Sequence, residues 1–255
     1  MTRRRVLLVN PNTSARITQI LADEARRLVG ENAEIVAVTA PFGASALECR
    51  AELVIAAHAV LETIAANRDC DAVVIGAFGD PGLEAARDIA RGAVFGLGQS
   101  GLRAAGAGGR RFAIVTVGAR LRGEIERMVA ACGLSHQLSA IRFLEGGVLD
   151  IAADRARFCD AMAAAAAACA TEDGAEAVLF GGAPFAGVGR ELAGRAIVPL
   201  VDGLTSAIAD AVDAMSNLDP AYVRAGRAKA ISGVSRALAD SISEFLARDS
   251  GRAQR

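Results

Sequence analysis

The stretch Asp71-Ala72-Val73-Val74-Ile75-Gly76-Ala77-Phe78-Gly79 is followed, 105 residues later (176 − 71), by the similar stretch Glu176-Ala177-Val178-Leu179-Phe180-Gly181-Gly182-Ala183-Pro184. Each is a short apolar run that ends in a glycine-rich loop, as expected where a buried strand enters a turn. A second pair of junctions recurs at nearly the same spacing, because Val6–Val9 precedes Asn10 and Phe112–Val115 precedes Thr116, an offset of 106 residues (112 − 6). Two junctions that recur at nearly one spacing predict a duplicated α/β half.

Apolar runs and helix-like segments alternate along the whole chain. The strand candidates are Val6–Val9, Glu34–Thr39, Ala72–Gly76, Phe112–Val117, Leu138–Phe143, Ala177–Gly181 and Ile197–Val201. The helix candidates are Ser14–Val29, Glu48–Asn67, Leu83–Gly92, Leu121–Gly133, Ile151–Thr171 and Leu204–Met215, with one more from Ser232. This alternation predicts an α/β fold with two parallel sheets. We expect residues 1–98 with 205–255 to form the first half, and residues 99–204 the second.

The composition excludes several classes of protein. The chain has 255 residues, 53% of them hydrophobic, a net charge of −1 and scattered basic residues, so nothing indicates nucleic-acid binding. The longest alanine-rich run, Ala161–Ala170, is about half the length that spans a bilayer. Five cysteines without C-x-x-C spacing and two histidines do not indicate a metal site or a disulfide framework. We therefore expect a cytoplasmic protein without a signal peptide, a membrane span or a bound metal.

The loops that follow the strands are the candidate binding site, because ligands of open parallel sheets bind beyond the carboxyl ends of the strands. The candidate substrate-binding residues in these loops are Asn10, Thr13, Ser14, Ala77, Phe78, Thr116, Gly118, Gly181, Gly182 and Ala183. Carboxamides, hydroxyls and free backbone N–H groups suit a carboxylate or an imide. The alternative for Asn12, Thr13 or Ser14 is that it only caps the helix that follows.

Four of these stretches resemble the hydantoin/allantoin racemase branch of the aspartate/glutamate racemase superfamily. They are Val9-Asn10-Pro11-Asn12-Thr13-Ser14, Phe78-Gly79-Asp80-Pro81-Gly82, Gly181-Gly182-Ala183-Pro184 and Pro199-Leu200-Val201-Asp202-Gly203. The likeness runs from about Val6 to Leu246. It implies two flavodoxin-like halves related by a pseudo-dyad, with a ligand cleft between them. It also implies an oligomer of identical chains and a cofactor-independent reaction on a small molecule such as a hydantoin, allantoin, an amino-acid derivative or a small carboxylic acid.

Racemases of this family use two cysteines, one from each half, on opposite faces of the substrate. One thiolate removes the proton next to a carbonyl group and the other thiol returns a proton to the opposite face. The resemblance places these positions at Ala77 and Gly182, and neither residue has a group that exchanges a proton. The two-thiol mechanism is therefore not expected in this protein.

Three ionisable residues are candidates for a substitute base. Glu48 and Cys49 lie in a segment that resembles a second substrate-facing loop of the family, and Asp80 follows a strand. Cys49 has the alternative role of a small residue at a helix start, and Asp80 that of a cap for the helix after Pro81. Activated water is a fourth candidate. Three functions follow: racemisation with a substitute base; decarboxylation, elimination or hydrolysis of a related compound; or binding without catalysis.

Overall fold

The computed structural model describes residues 3–216 and 231–248 of the chain. The strands are β1 (Arg4–Asn10), β2 (Ala33–Thr39), β3 (Ala72–Ile75), β4 (Ala93–Gly96), β5 (Phe112–Thr116), β6 (Leu138–Phe143), β7 (Ala177–Gly181) and β8 (Leu200–Asp202). The helices are α1 (Ala15–Val29), α2 (Arg50–Ala66), α3 (Leu83–Ile89), α4 (Leu97–Ala105), α5 (Arg122–Ala131), α6 (Val148–Ala153), α7 (Arg155–Thr171), α8 (Val188–Glu191), α9 (Gly203–Ser216) and α10 (Arg236–Arg248).

The strands form two four-stranded sheets with the same internal order. The first sheet runs β2-β1-β3-β4 and the second β6-β5-β7-β8, and every pairing is parallel. Adding four to each strand number of the first sheet reproduces the second, as expected of a duplicated unit. The predicted α/β class with two parallel sheets is confirmed.

Both faces of each sheet are covered, which explains the continuous apolar runs. In β1, Val6 and Leu8 pack towards α1 and α9, whereas Leu7 and Val9 pack towards α2, α3 and α10. In β7, Val178 and Phe180 belong to the cluster that includes α6, α7 and α8, and Leu179 belongs to the cluster on the opposite face, beside α4 and α5. Side chains alternate between the faces of a strand, so apolar residues are needed at every position.

The chain returns to the first sheet after β8. Helix α9 packs against α1, α4 and β4, and α10 packs against α2 and α3. Leu238 is buried in the core beside β3, with Val234 and Ile242 next to it. Residues 1–2, 217–230 and 249–255, which the predicted first half includes, lie outside the described residues.

The predicted elements differ from the observed ones at several places. The elements β4, α4 and α8 were not predicted, and the helix predicted from Ser232 begins at Arg236. The segment predicted as one helix over Ile151–Thr171 is two helices, α6 and α7, separated at Asp154. The Asp154 side chain accepts a hydrogen bond from the Arg157 N–H, so it caps the second of them. The strand predicted at Ile197–Val201 is β8, which begins three residues later.

Candidate active site

A cavity of about 340 Å³ lies between the two sheets, at the loops that follow β1, β3, β5 and β7. Its volume falls in the range of sites for small ligands. The first half contributes Asn12, Leu47, Leu53, Ala77, Phe78 and Gly79. The second half contributes Thr116, Val117, Leu121, Glu124, Ile125, Arg127, Met128, Ala131, Val148, Gly181, Gly182, Ala183 and Pro184. Both copies of the duplicated strand-to-loop junction therefore meet at one site.

Ala77 and Gly182, the positions where the resemblance expects thiols, both line this cavity. Ala77 follows β3, and Gly182 follows the equivalent strand β7. Gly182 has φ = 142° and ψ = 149°, a backbone conformation that is almost confined to glycine. The cavity is thus lined by a methyl group at Ala77 and by bare backbone at Gly182.

Asn10 and Asn12 have different roles in the Asn-Pro-Asn loop. Asn10 is fully buried, and its Nδ2 donates hydrogen bonds to Asn12 Oδ1 (3.0 Å), to the Ser14 carbonyl (3.0 Å) and to Thr18 Oγ1 (2.9 Å). Asn12 Oδ1 also accepts the Ser14 N–H at 2.9 Å. Asn12 Nδ2 has no hydrogen-bond partner within residues 3–216 and 231–248, and Asn12 lines the cavity. The Asn12 side chain therefore offers a free N–H donor to the cavity, whereas Asn10 stabilises the conformation of the loop.

Two further loop candidates serve the local fold. Thr13 is exposed and its N–H donates to the Ala44 carbonyl at 2.9 Å. Ser14 is the N-cap of α1, and its side chain accepts the Ile17 N–H. Neither residue lines the cavity. Sequence reasoning placed the polar contacts of this loop on Asn10, Thr13 and Ser14 and missed Asn12. The available signal was the Asn-x-Ser spacing, because an Asn two residues before an N-cap uses its oxygen in an Asx turn and leaves its amide free.

Thr116 and Gly118, in the equivalent loop of the second half, also differ in role. Thr116 lines the cavity, and its Oγ1 donates a 2.6 Å hydrogen bond to the Gly181 carbonyl, which joins the ends of β5 and β7. Its hydroxyl oxygen is therefore left as an acceptor. Gly118 has φ = 74° and starts the turn before α5, but it is not part of the lining.

Phe78 and Gly181 bring the two halves into close contact. A Cβ atom on Gly181 would lie 2.6 Å from Cε1 of Phe78, so the ring occupies the space that any side chain at position 181 would need. Phe78 is buried in the hydrophobic cluster of the second sheet although it follows a strand of the first. Gly182 and Ala183 start a 3₁₀ turn, and their N–H groups donate to no acceptor within the described ranges.

The three candidate bases lie outside the cavity lining. Glu48 Oε1 accepts the Val148 N–H at 3.3 Å, so this carboxylate of the first half caps α6 of the second. Cys49 is the N-cap of α2, and its N–H donates to Glu52.

Asp80 caps a helix other than the one predicted. Its Oδ1 accepts the Gly98 N–H at 2.8 Å and its Oδ2 accepts the Gln99 N–H at 2.6 Å, at the start of α4. Burial raises the pKa of Asp80 to about 7, against the lowering effect of these hydrogen bonds. Asp80 contributes to a separate pocket next to the cavity.

Two ionisable residues, Glu124 and Arg127 of α5, line the cavity. Arg127 forms an ion pair with Glu124, and Arg50 of the first half approaches the same Glu124 oxygen, with Nε 2.6 Å away. The hydrogen bond from Arg127 is the main cause of a lowered pKa of Glu124. A carboxylate held in its charged form in this way is a weak base.

Residues 3–216 and 231–248 contain neither a metal-binding cluster nor a membrane-spanning helix. No group of three or more His, Cys, Asp and Glu residues within these ranges is arranged to hold a metal ion. No helix within them combines the length and apolar character that a membrane span requires.

Comparison with known proteins agrees with the fold. The family model for Asp/Glu/hydantoin racemase matches residues 6–211. A hydantoin racemase of Paenarthrobacter aurescens is 30% identical over 206 residues, covering 80% of this chain and 87% of that protein.

Two solved structures are similar over most of the chain. The allantoin racemase from Klebsiella pneumoniae has a TM-score of 0.86 at 28% identity, covering 92% of this chain and 98% of that one. The allantoin racemase from Pseudomonas fluorescens has a TM-score of 0.84 at 29% identity, covering 90% and 100%. Since the family model spans both sheets and the loops that line the cavity, the chain belongs to the Asp/Glu/hydantoin racemase family.

Proposed function

We propose that the protein is a racemase-like enzyme that binds a small cyclic amide or amino-acid derivative, such as a hydantoin or allantoin, between its two halves. In this proposal it exchanges the proton on the carbon next to a carbonyl group without a cofactor. The observation that carries the proposal is that Ala77 and Gly182, from equivalent strands of the two sheets, line one cavity together with unpaired amide donors. The ring of the ligand would lie between these two residues.

The polar groups of the cavity lining suit a ligand ring with alternating carbonyl and N–H groups. Asn12 Nδ2 and the N–H groups of Gly182 and Ala183 would donate to carbonyl oxygens of the ligand. Thr116 Oγ1, whose proton goes to Gly181, would accept a ring N–H. Such donors hold an enolate oxygen more strongly than a neutral carbonyl, and one of them is typically worth about 10²–10³ in rate.

Water is the base that fits this cavity best. Ala77 and Gly182 cannot carry a proton, the candidates Glu48, Cys49 and Asp80 are outside the lining, and Glu124 is held as a carboxylate by two guanidinium groups. A water molecule or hydroxide ion on one face would take the proton, and water on the other face would return one to the enolate carbon. The protein would then contribute orientation and enolate stabilisation.

Proton exchange in heavy water tests the proposal directly. Optically pure 5-benzylhydantoin and allantoin are incubated with the protein, the α-proton signal is followed by NMR, and the optical rotation is followed in parallel. We expect exchange above the buffer rate, proportional to hydroxide concentration, with loss of optical activity at a similar rate. Ligand binding without exchange above the buffer rate would contradict the enzymatic proposal and leave a binding protein.

Asn12→Asp is the most informative variant, because it keeps the Oδ1 atom that accepts the Ser14 N–H and replaces only the Nδ2 amide group, which has no partner among the described residues. We expect exchange to fall about 100-fold, since a donor is lost and a negative charge is placed near the enolate. Asn32→Asp makes the same change at an exposed position and is the matched control. Equal rates for Asn12→Asp and the unaltered protein would remove Asn12 from the proposed site.

A further inference from the structure

The cavity has an apolar wall along one side of α5. Leu121, just before this helix, and Ile125 and Met128 within it are spaced four and three residues apart, so they share one helix face. Leu53 and Phe78 of the first half also belong to the lining. This wall contains no polar side chain that would bind a ring carbonyl. It fits a hydrocarbon chain or an aromatic ring attached to the bound ligand.

The same helix also supplies charged residues to the lining. Glu124 and Arg127 lie within one turn of Ile125 and Met128, and Arg50 reaches Glu124 from the other half. Both guanidinium groups bind Oε1 of Glu124. They also converge on Gly123, where an added Cβ atom would lie 3.3 Å from Arg50 Nη2 and 3.9 Å from Arg127 Nη1. Two cations and one carboxylate leave one unit of positive charge.

We infer that Arg127 is a specificity-determining residue, which selects ligands whose substituent is apolar next to the ring and anionic at its end. The class is a cyclic amide or amino-acid derivative with a carboxylate-terminated side group, and the inference rests on the proposed function. The ring lies between Ala77 and Gly182, the hydrocarbon lies along Ile125 and Met128, and the terminal anion reaches the guanidinium group. The five N–H groups of a guanidinium exceed what one shared oxygen of Glu124 accepts, so donors remain for a second anion.

Three ligands distinguish the effect of the substituent's charge on binding from the effect of its shape. They are 5-benzylhydantoin, its 4-carboxybenzyl analogue and the 4-carbamoylbenzyl analogue, which has nearly the same shape as the carboxylate but no charge. Dissociation constants are measured by calorimetry, so the result does not depend on turnover. We expect the carboxylate to bind about five-fold more tightly than the carboxamide, as for an ion pair at a partly exposed site. At an ionic strength of about 1 M, where the Debye length is about 3 Å, the preference falls below two-fold.

Two variants should change the preference in opposite directions. Arg127→Gln brings the Kd values of the carboxylate and the carboxamide together, because the guanidinium is gone. Glu124→Gln raises the preference for the carboxylate above five-fold, because it frees N–H groups of Arg127 and removes the competing negative charge. Arg120→Gln removes the same charge at an exposed residue outside the lining, and it retains the preference of the unaltered protein.

The outcomes distinguish this inference from the proposed function. If the benzyl ligand binds and undergoes exchange but the carboxylate and the carboxamide bind equally, the role of Arg127 is overturned and the proposed function stands. A preference that persists in Arg127→Gln also overturns it. If none of the three ligands binds, both proposals fall together.

Discussion

Ala77 and Gly182 lie 105 residues apart in the chain (182 − 77) and line the same cavity. Ala77 is the second residue after the end of β3, and Gly182 is the first residue after the end of β7, so equivalent turns present both. The two sheets have the same strand order and bring these turns together. Both copies of the duplicated turn thus contribute to one cavity, and neither of the two positions has an ionisable side chain.

Gly182→Ala should destabilise the protein by about 1–3 kcal/mol, because φ = 142° is strained for a residue with a Cβ atom. The added atom would also lie 3.2 Å from Cδ2 of Phe185. Urea unfolding gives the free-energy difference. Gly194→Ala is the matched control, since its Cβ would meet no atom within 4 Å and its φ is not positive. Equal stability of the two variants would show that the loop at Gly182 adapts without strain.

Asp80 should make the protein less stable as the pH rises from about 4 to about 7. The pKa of Asp80 is raised from 3.8 to about 7, so the folded state retains a proton that the unfolded state releases in this interval. The free energy of unfolding then falls with pH, by at most about 1.4 kcal/mol per unit, and levels off above the folded pKa. Below about pH 4 both states are protonated and the contribution no longer changes.

Asp80→Asn removes this dependence and tests it. Asparagine tolerates the positive φ of 44° at this position and lacks a titrating group. We expect a smaller decrease in unfolding free energy between pH 4 and 7 than in the unaltered protein, measured by urea titration at several pH values. Identical pH profiles would show that another group is responsible.

Glu24 should contribute stability that is present at neutral pH and lost in acid. This nearly buried carboxylate of α1 binds Arg27, with Nη2 2.6 Å away, and Arg190 of α8, with Nη2 3.2 Å away. The hydrogen bond from Arg27 is the main cause of its lowered pKa. Its contribution is therefore complete above the unfolded pKa of about 4.5 and disappears as the pH falls through the lower folded pKa.

Glu24→Gln should cost about 1–2 kcal/mol at pH 7 and much less near pH 3, measured by chemical denaturation at both values. Exposed Glu31→Gln serves as the control for loss of one negative charge. A penalty that is the same at both pH values would indicate that packing, and not the ion pairs, accounts for the effect.

Thiol reagents should leave proton exchange unchanged. None of the five cysteines belongs to the described lining of the cavity. Burial raises the pKa of the Cys70, Cys132 and Cys169 thiols, so these should react slowly with iodoacetamide. Mass spectrometry after partial alkylation locates the modified residues, and the exchange rate is measured on the same sample. Loss of exchange that tracks modification of Cys49, and is absent in Cys49→Ala, would show that this thiol takes part.

The sequence is most informative where the chain is buried on both sides. Strands such as β1, β5 and β7 are continuous apolar runs, and their regular spacing is enough to indicate the duplication. The edge strand β4 has only four residues and is followed at once by α4. Both elements contain glycines, so neither shows a recognisable periodicity of apolar residues in the sequence. Their position depends on contacts with Asp80 and with α9, which are remote in the sequence.

The candidate site was predicted less completely, because a loop residue's role depends on the direction of its side chain. Asn10 and Asn12 have the same chemistry and are two residues apart, yet Asn10 is enclosed by its own loop and Asn12 lines the cavity. Glu124 and Arg127 were missed because they lie on a helix, where charged residues usually face solvent. Only the approach of the two halves turns that part of α5 into a wall of the cavity.

The contact between Asp80 and α4 limits what the Phe-Gly-Asp-Pro-Gly motif indicates about function when it is found in a sequence. The acidic residue of this motif binds the beginning of a helix, whereas Ala77, just before the motif, lines the cavity together with Phe78 and Gly79. A protein can therefore keep the whole motif while the residue one position earlier changes. Sequence searches that weight the motif heavily will group proteins that differ at this single position of the cavity lining.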